Sequence, residues 1–161
     1  MSFFPRALAL SLIVVSPAFA EDYGHDDHVA ALGAVTVTHA WVAAAGAGAD
    51  AVVFFEIENA GPPVVLSGGE VENAAGVEIV GAAMGADGTL AYQPIGEFTI
   101  PSGAFDFDHK GLGMRLNDLT GDLTEGEHFH MHLLLGGDEL EISVEVQAAD
   151  AVAHSHAGHN H

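Results

Sequence analysis

From residue 128 to residue 147 the chain alternates between apolar and polar positions. Phe129, Met131, Leu133 and Leu135 take every second place in one run, and Leu140, Ile142, Val144 and Val146 do so in the next, with Gly136-Gly137 between them. A period of two marks a strand with one buried face, and two such runs about a Gly pair predict a hairpin. These eight apolar residues then form one wall of a core. Pairing Leu135 with Leu140 keeps both sets on that wall, and it sets His132 opposite Ser143, His130 opposite Glu145 and His128 opposite Gln147. Earlier in the chain, Val35, Val37, His39 and Trp41 alternate with smaller or polar residues, and Val53, Phe55 and Ile57 alternate with Phe54, Glu56 and Glu58. Both segments read as strands. His39 shares the face of Trp41 and is expected to be a partly buried structural histidine.

Between these runs, turn chemistry recurs at short intervals: Gly61-Pro62-Pro63, Gly68-Gly69, Asp87-Gly88, Pro101-Ser102-Gly103 and Gly121-Asp122. Gly and Pro at this density leave pieces too short for stable helices. The pieces at residues 77–80, 90–92, 96–100, 105–108 and 112–116 are therefore expected to be short strands. Many short strands broken by Gly and Pro predict an all-β domain, an antiparallel sandwich or barrel with Greek-key connections.

The ends of the chain follow a different pattern. Residues 1–20 carry Arg6, an apolar stretch and the small-residue site Ala18-Phe19-Ala20, which is the layout of a signal peptide. The apolar stretch is shorter than the roughly 20 residues a bilayer span needs, so stable membrane insertion after cleavage is not expected. Residues 21–33 are polar and acidic, with His25 and His28 flanking Asp26-Asp27, and read as a mobile arm. Residues 148–161 hold His154, His156, His159 and His161 among Ala, Ser, Gly and Asn, a short His-rich tract with little to pack. That leaves one domain at residues 34–147. Export to a periplasm is the expected destination.

Charge and composition narrow the chemistry. Three Lys plus Arg stand against 23 Asp plus Glu, a formal charge of -20, so a phosphate backbone or an anionic membrane would be repelled. Nucleic acid is excluded as a partner. With no Cys among the 161 residues, disulfides, iron-sulfur clusters and thiolate metal sites are excluded as well. The 11 His are the anomaly. Where Met131 and Leu133 face inward, His128, His130 and His132 must face outward together, spaced roughly 6.6 Å apart along one strand. Imidazoles so placed are candidate ligands for a first-row metal ion, with a nearby carboxylate to complete the shell. His154, His156, His159 and His161 in the tail, and His25 and His28 in the arm, are further candidates. His109 and Met114, on either side of a Gly-rich stretch, are expected to form a loop ligand pair. Imidazole must be neutral to bind a metal, so binding is expected to weaken on acidification.

Val37-Thr38-His39-Ala40-Trp41-Val42, residues 51–61 (AVVFFEIENAG), Val77-Glu78-Ile79, residues 88–95 (GTLAYQPI), Ile100-Pro101-Ser102-Gly103 and residues 119–126 (LTGDLTEG) follow one another along the chain, and these stretches together resemble the periplasmic copper chaperone family PCu(A)C. They occur in the family's order and span about residues 35–146. The resemblance implies a cupredoxin-like Greek-key β-sandwich and a non-enzymatic role in carrying copper to a receiving oxidase subunit or another periplasmic metalloprotein. It does not carry over the family's ligands. The histidine that follows the family's Val-Glu-Leu run is Val80 here, its hairpin methionines meet Leu90 and Tyr92, and its His-x-Met pair falls on Gly113 and Arg115. Capture is therefore expected to shift to the His ladder and the two termini. Copper is the expected ion and zinc the alternative; a zinc hydrolase or hydratase on the same His-x-His strand is a third, less favoured reading.

Overall fold

Residues 28–152 are described by the computed structural model, and they form eleven strands and no helix. In chain order these are β1 (Val29–Leu32), β2 (Val35–Ala43), β3 (Ala51–Asn59), β4 (Val64–Val71), β5 (Ala74–Met84), β6 (Leu90–Pro94), β7 (Phe98–Ile100), β8 (Gly103–Phe107), β9 (Leu112–Leu119), β10 (His128–Leu135) and β11 (Asp138–Gln147). One hydrogen-bonded path runs β6-β5-β9-β3-β2-β11-β10-β4-β7, with β1 added to β2 and β8 to β3. The path folds over a single apolar core. Met114 on β9 reaches across to β4, where a Cβ on Gly69 would lie 3.3 Å from its methyl group. β4 and β9 thus face each other across this core. This is the all-β sandwich that the turn spacing and alternation predict.

Core positions follow the period of two. Met131, Leu133 and Leu135 of β10 are buried against Leu140, Ile142, Val144 and Val146 of β11, together with Val37, Val53, Phe55, Ile57 and Leu116. Burying a side chain of this size stabilises the fold by about 1.5–3 kcal/mol. Phe55 and Phe107 stack with ring centres 4.4 Å apart across the β3–β8 pair.

Three expectations are corrected. Residues 29–32, expected in a mobile arm, form β1, paired antiparallel from Val29↔Thr38 to Leu32↔Val35. Four small apolar residues are too few to show a period, yet they satisfy an open edge of β2. Gly68-Gly69, expected as a turn, lies inside β4. The β4–β10 register shifts between Leu134 and Leu135, and Gly68 has a φ of 152° there. At Gly69 the reason is a close approach, since a Cβ would lie 2.8 Å from the His132 carbonyl oxygen. His39 is exposed rather than partly buried beside Trp41. A bulge between Thr38 and Trp41 gives it a φ of 53° and turns its Nδ1 toward Glu56, 3.3 Å away. The signal segment 1–20, the remainder of the arm to residue 27 with His25, and residues 153–161 with His154, His156, His159 and His161 lie outside the described residues.

Candidate metal centre

Alternation on β10 places its imidazoles as expected. Met131 and Leu133 are fully buried, so His128 and His130 stand exposed and His132 half-buried on the opposite face. The register across the hairpin differs from expectation. Leu135 pairs with Asp138, so Gly136-Gly137 alone makes the turn, and Leu133 rather than Leu135 meets Leu140. The φ values of 61° and 97° are the positive pair that a type I′ turn requires, and this turn matches the strand twist better than a longer loop. A shift of two residues keeps every side chain on its predicted face but changes the partners. His128 now faces Glu145, His130 faces Ser143 and His132 faces Glu141.

The arm residue His28 joins the ladder for a topological reason. β3 occupies one edge of β2 along its length, so β1 and β11 share the other edge: β1 runs against residues 35–38, and β11 lies parallel against residues 41–43. The start of β1 therefore arrives where Glu145 pairs with Trp41. At the intervening bulge, the His39 amide donates to the His28 carbonyl at 3.2 Å. The outcome is a cluster in which one ligand atom from each of His28, His128 and Glu145 lies within 4.8 Å of the others. Three donors at about 2.0–2.2 Å from one ion stand roughly 3–4 Å apart, which is within the 4.8 Å limit that these atoms meet. The cluster borders a hollow of about 480 Å³ between the start of β1 and the β10–β11 hairpin, lined also by His130, Glu141 and Ser143.

Further along the face, carboxylates flank the other two imidazoles. Glu141 lies 3.7 Å from His130 Nδ1 and 3.5 Å from His132 Nε2, and Glu139 lies 3.9 Å from His132 Nδ1. Glu141 also lines the hollow beside the cluster, where its negative charge favours a cation.

The second expected pair does not form. Met114 sits on β9, between Ile79 of β5 and Val53 of β3, and is fully buried, because its place in the strand points it into the core. His109 lies in the β8–β9 turn, where its carbonyl accepts a hydrogen bond from the Tyr92 hydroxyl at 2.8 Å. Burial, with Asp108 as a lesser cause, raises the Tyr92 pKa.

Of the positions where the resembling family has its ligands, Val80, Tyr92, Gly113 and Arg115 lie on the adjacent strands β5, β6 and β9 and are filled by other chemistry, while Leu90 pairs with Met84 at the far end of the β5–β6 hairpin. Val80 is buried and pairs with Gly113 and Pro94. A Cβ on Gly113 would run into Val52 and lie 3.1 Å from Phe54 Cε1, which leaves no room there for an imidazole without rearrangement. Arg115 faces Glu78 across the β5–β9 pair, donates to its carboxylate, and reaches the Tyr92 carbonyl at 3.4 Å. That hydrogen bond, followed by one from Asn117, holds the Glu78 carboxyl below the usual glutamate range.

Fold and donor set together define an all-β sandwich carrying an exposed nitrogen and oxygen ligand cluster. Residues 35–147 match the family described as "Putative lipoprotein LpqE-like", and the chain belongs to that family. No curated protein matches the chain by sequence. Among solved structures, the apo PCuAC domain from PmoF1 is similar at 24% identity and a TM-score of 0.62, over 75% of this chain and 99% of that one. The copper-bound PCuAC domain from PmoF2 aligns at 22% identity and 0.58, over 75% and 98%. The solution structure of CuI-DR1885 from Deinococcus radiodurans aligns at 22% and 0.54, over 69% and 76%. The fold is thus the PCuAC fold that the sequence resemblance implies. Among the described residues, no helix is long and apolar enough to cross a membrane.

Proposed function

We propose that this protein is an exported copper carrier of the chaperone type, which captures copper on the β1–β10–β11 face and hands it by ligand exchange to a receiving oxidase subunit or another periplasmic metalloprotein. The observation that carries this reading is the convergence of His28, His128 and Glu145 within 4.8 Å. It brings together an arm residue and a ladder residue that the sequence singles out separately. Likeness to PCuAC domains, one of them copper-bound, supports copper as the cargo. Membership of a lipoprotein-type family supports an address outside the cytoplasm, reached through the signal segment at residues 1–20. The His-bearing ends at His25 and at His154 to His161 act as scavengers working at high effective concentration near the face. An exposed site that takes up and releases an ion needs no catalytic apparatus, and the role is carriage rather than turnover.

The donor set also favours a second reading, zinc buffering, because two imidazoles and a carboxylate suit Zn(II) as well. The separating experiment is the metal dependence of a deletion strain, with metal content measured on the exported protein. A copper-correctable defect in oxidase assembly with copper in the protein supports the carrier. Growth failure confined to zinc limitation, with zinc in the protein, replaces it by the buffer.

A further inference from the structure

We propose that the His28–His128–Glu145 cluster takes its copper in the oxidised, divalent state and is not a Cu(I) site. This rests on the copper-carrier reading and names the ion that the site accepts. Cu(I) is soft and is held best by thiolate and thioether sulfur, whereas imidazole and carboxylate suit Cu(II). The cluster offers two nitrogens and one oxygen, and no sulfur lines its hollow. The chain has no cysteine to supply one. Met114 and Met131 are both fully buried, their methyl groups converging at 3.3 Å and 2.9 Å on the place a Gly69 Cβ would take, beneath the sheet that bears the histidines. Met84 is exposed, but it lies on the β5–β6 hairpin and does not line the hollow.

Two further features favour the higher charge. The cluster is open to solvent on the His128 side, so water can fill the positions that a tetragonal Cu(II) ion leaves to weak ligands. Glu141, which lines the same hollow, adds negative potential, and Coulomb attraction for a doubly charged ion is twice that for a singly charged one. His130 also borders the hollow and stands nearest to act as a further nitrogen donor.

The test uses the full mature chain with His25, His154, His156, His159 and His161 changed to Ala, so that the flanking histidines do not compete. This protein is compared with versions that also carry His28→Ala, His128→Ala or Glu145→Gln. Cu(II) is followed by electron paramagnetic resonance and by competition with a chelator, and Cu(I) by competition with a chromophoric Cu(I) ligand under reductant. The expected result is one equivalent of Cu(II) with imidazole nitrogen couplings. Its affinity falls in each added variant by at least the ~10- to 100-fold that loss of an outer-shell partner costs, while Cu(I) retention is the same in all of them. Cu(I) held more tightly than Cu(II) and lost with His128→Ala would overturn the divalent assignment and leave the carrier reading standing. If neither ion responds to any of the three substitutions, the cluster is not the cargo site and both readings fail. Because Glu145→Gln keeps shape and strand pairing, a loss seen with it is not a folding artefact.

Discussion

The imidazole rings of His28 and His128 lie 6.0 Å apart, centre to centre, with their planes at 45°. One precedes the short strand β1 and the other opens β10, so an ion held between them ties a weakly anchored strand to the body of the sheet. β1 has four residues, pairs with β2 along one side, and leaves Val29 54% exposed. Short strands of this kind open locally at low free energy. A ligand at 100 times its dissociation constant stabilises the bound state by about 2.7 kcal/mol, roughly a hundredfold. Amide exchange in residues 29–32 is therefore expected to slow by up to about a hundredfold on metal saturation, and His28→Ala is expected to remove the effect. Exchange followed by mass spectrometry checks this, and unchanged β1 exchange on loading would show that the ion does not bridge the two histidines.

The Gly136-Gly137 turn sets which carboxylate meets which imidazole. Gly137 has a φ of 97° with open space where a Cβ would stand, so the cost of a side chain there is conformational rather than steric. Gly137→Ala is expected to destabilise the fold by about 1 kcal/mol. Gly136→Ala adds a contact 3.1 Å from Val64 Cγ2 and is expected to cost more. Urea denaturation of the two variants checks the order, and equal midpoints would refute it.

Strand parity was legible and strand partnership was not. Phe129 to Leu135 and Leu140 to Val146 alternate so regularly that the outward face of His128, His130 and His132 follows from the sequence alone. Parity is unchanged by a two-residue slip, however, so the same pattern is equally consistent with Glu145 opposite His130 or opposite His128. Two adjacent glycines with positive φ decide the matter, and their dihedrals are not visible in the letters. β1 was hidden because Val29-Ala30-Ala31-Leu32 has no period, and its docking depends on an edge of β2 that exists only after the sheet has formed. With it went the site: His28 and His128 were each readable as ligands, but their meeting is a property of topology. Met114 failed in the opposite way. Its neighbours Gly111 and Gly113 suggested a loop, whereas Gly113 is there to let β9 pass under Val52 and Phe54.

Arg115 and Glu78 give a dependence on pH. Hydrogen bonding from Arg115, then Asn117, favours the ionised Glu78 carboxylate in the folded state and lowers its pKa. The stabilisation from this group is complete above the ordinary glutamate range and is lost as pH falls through the lowered folded value. Glu78→Gln removes that contribution, so the difference in melting temperature between wild type and variant is expected to shrink on acidification from neutrality into the carboxylate range. A difference that is constant with pH would mean that the pair is not formed in solution.

Gly113 offers the sharpest test of how β9 is seated. It is buried between β5 and β3, and an added methyl would be driven into Val52 Cγ1 with Phe54 Cε1 3.1 Å away. Phe54 packs against Trp41 with ring centres 5.1 Å apart, so it does not give way freely. Gly113→Ala is expected to destabilise the protein by about 1–3 kcal/mol, the range for an overpacked core. Relief should be specific: Val52→Ala removes the clashing methyl and is expected to recover a substantial part of the loss, as a coupling of about 0.5–3 kcal/mol in a double-mutant cycle. Thermal denaturation of the two single variants and the double variant measures that coupling. Additive losses would show that Gly113 is required for its backbone rather than for the space it leaves. Metal affinity at the β1–β10–β11 face is expected to be unchanged in all three, since Gly113, Val52 and Phe54 take no part in the His28–His128–Glu145 cluster.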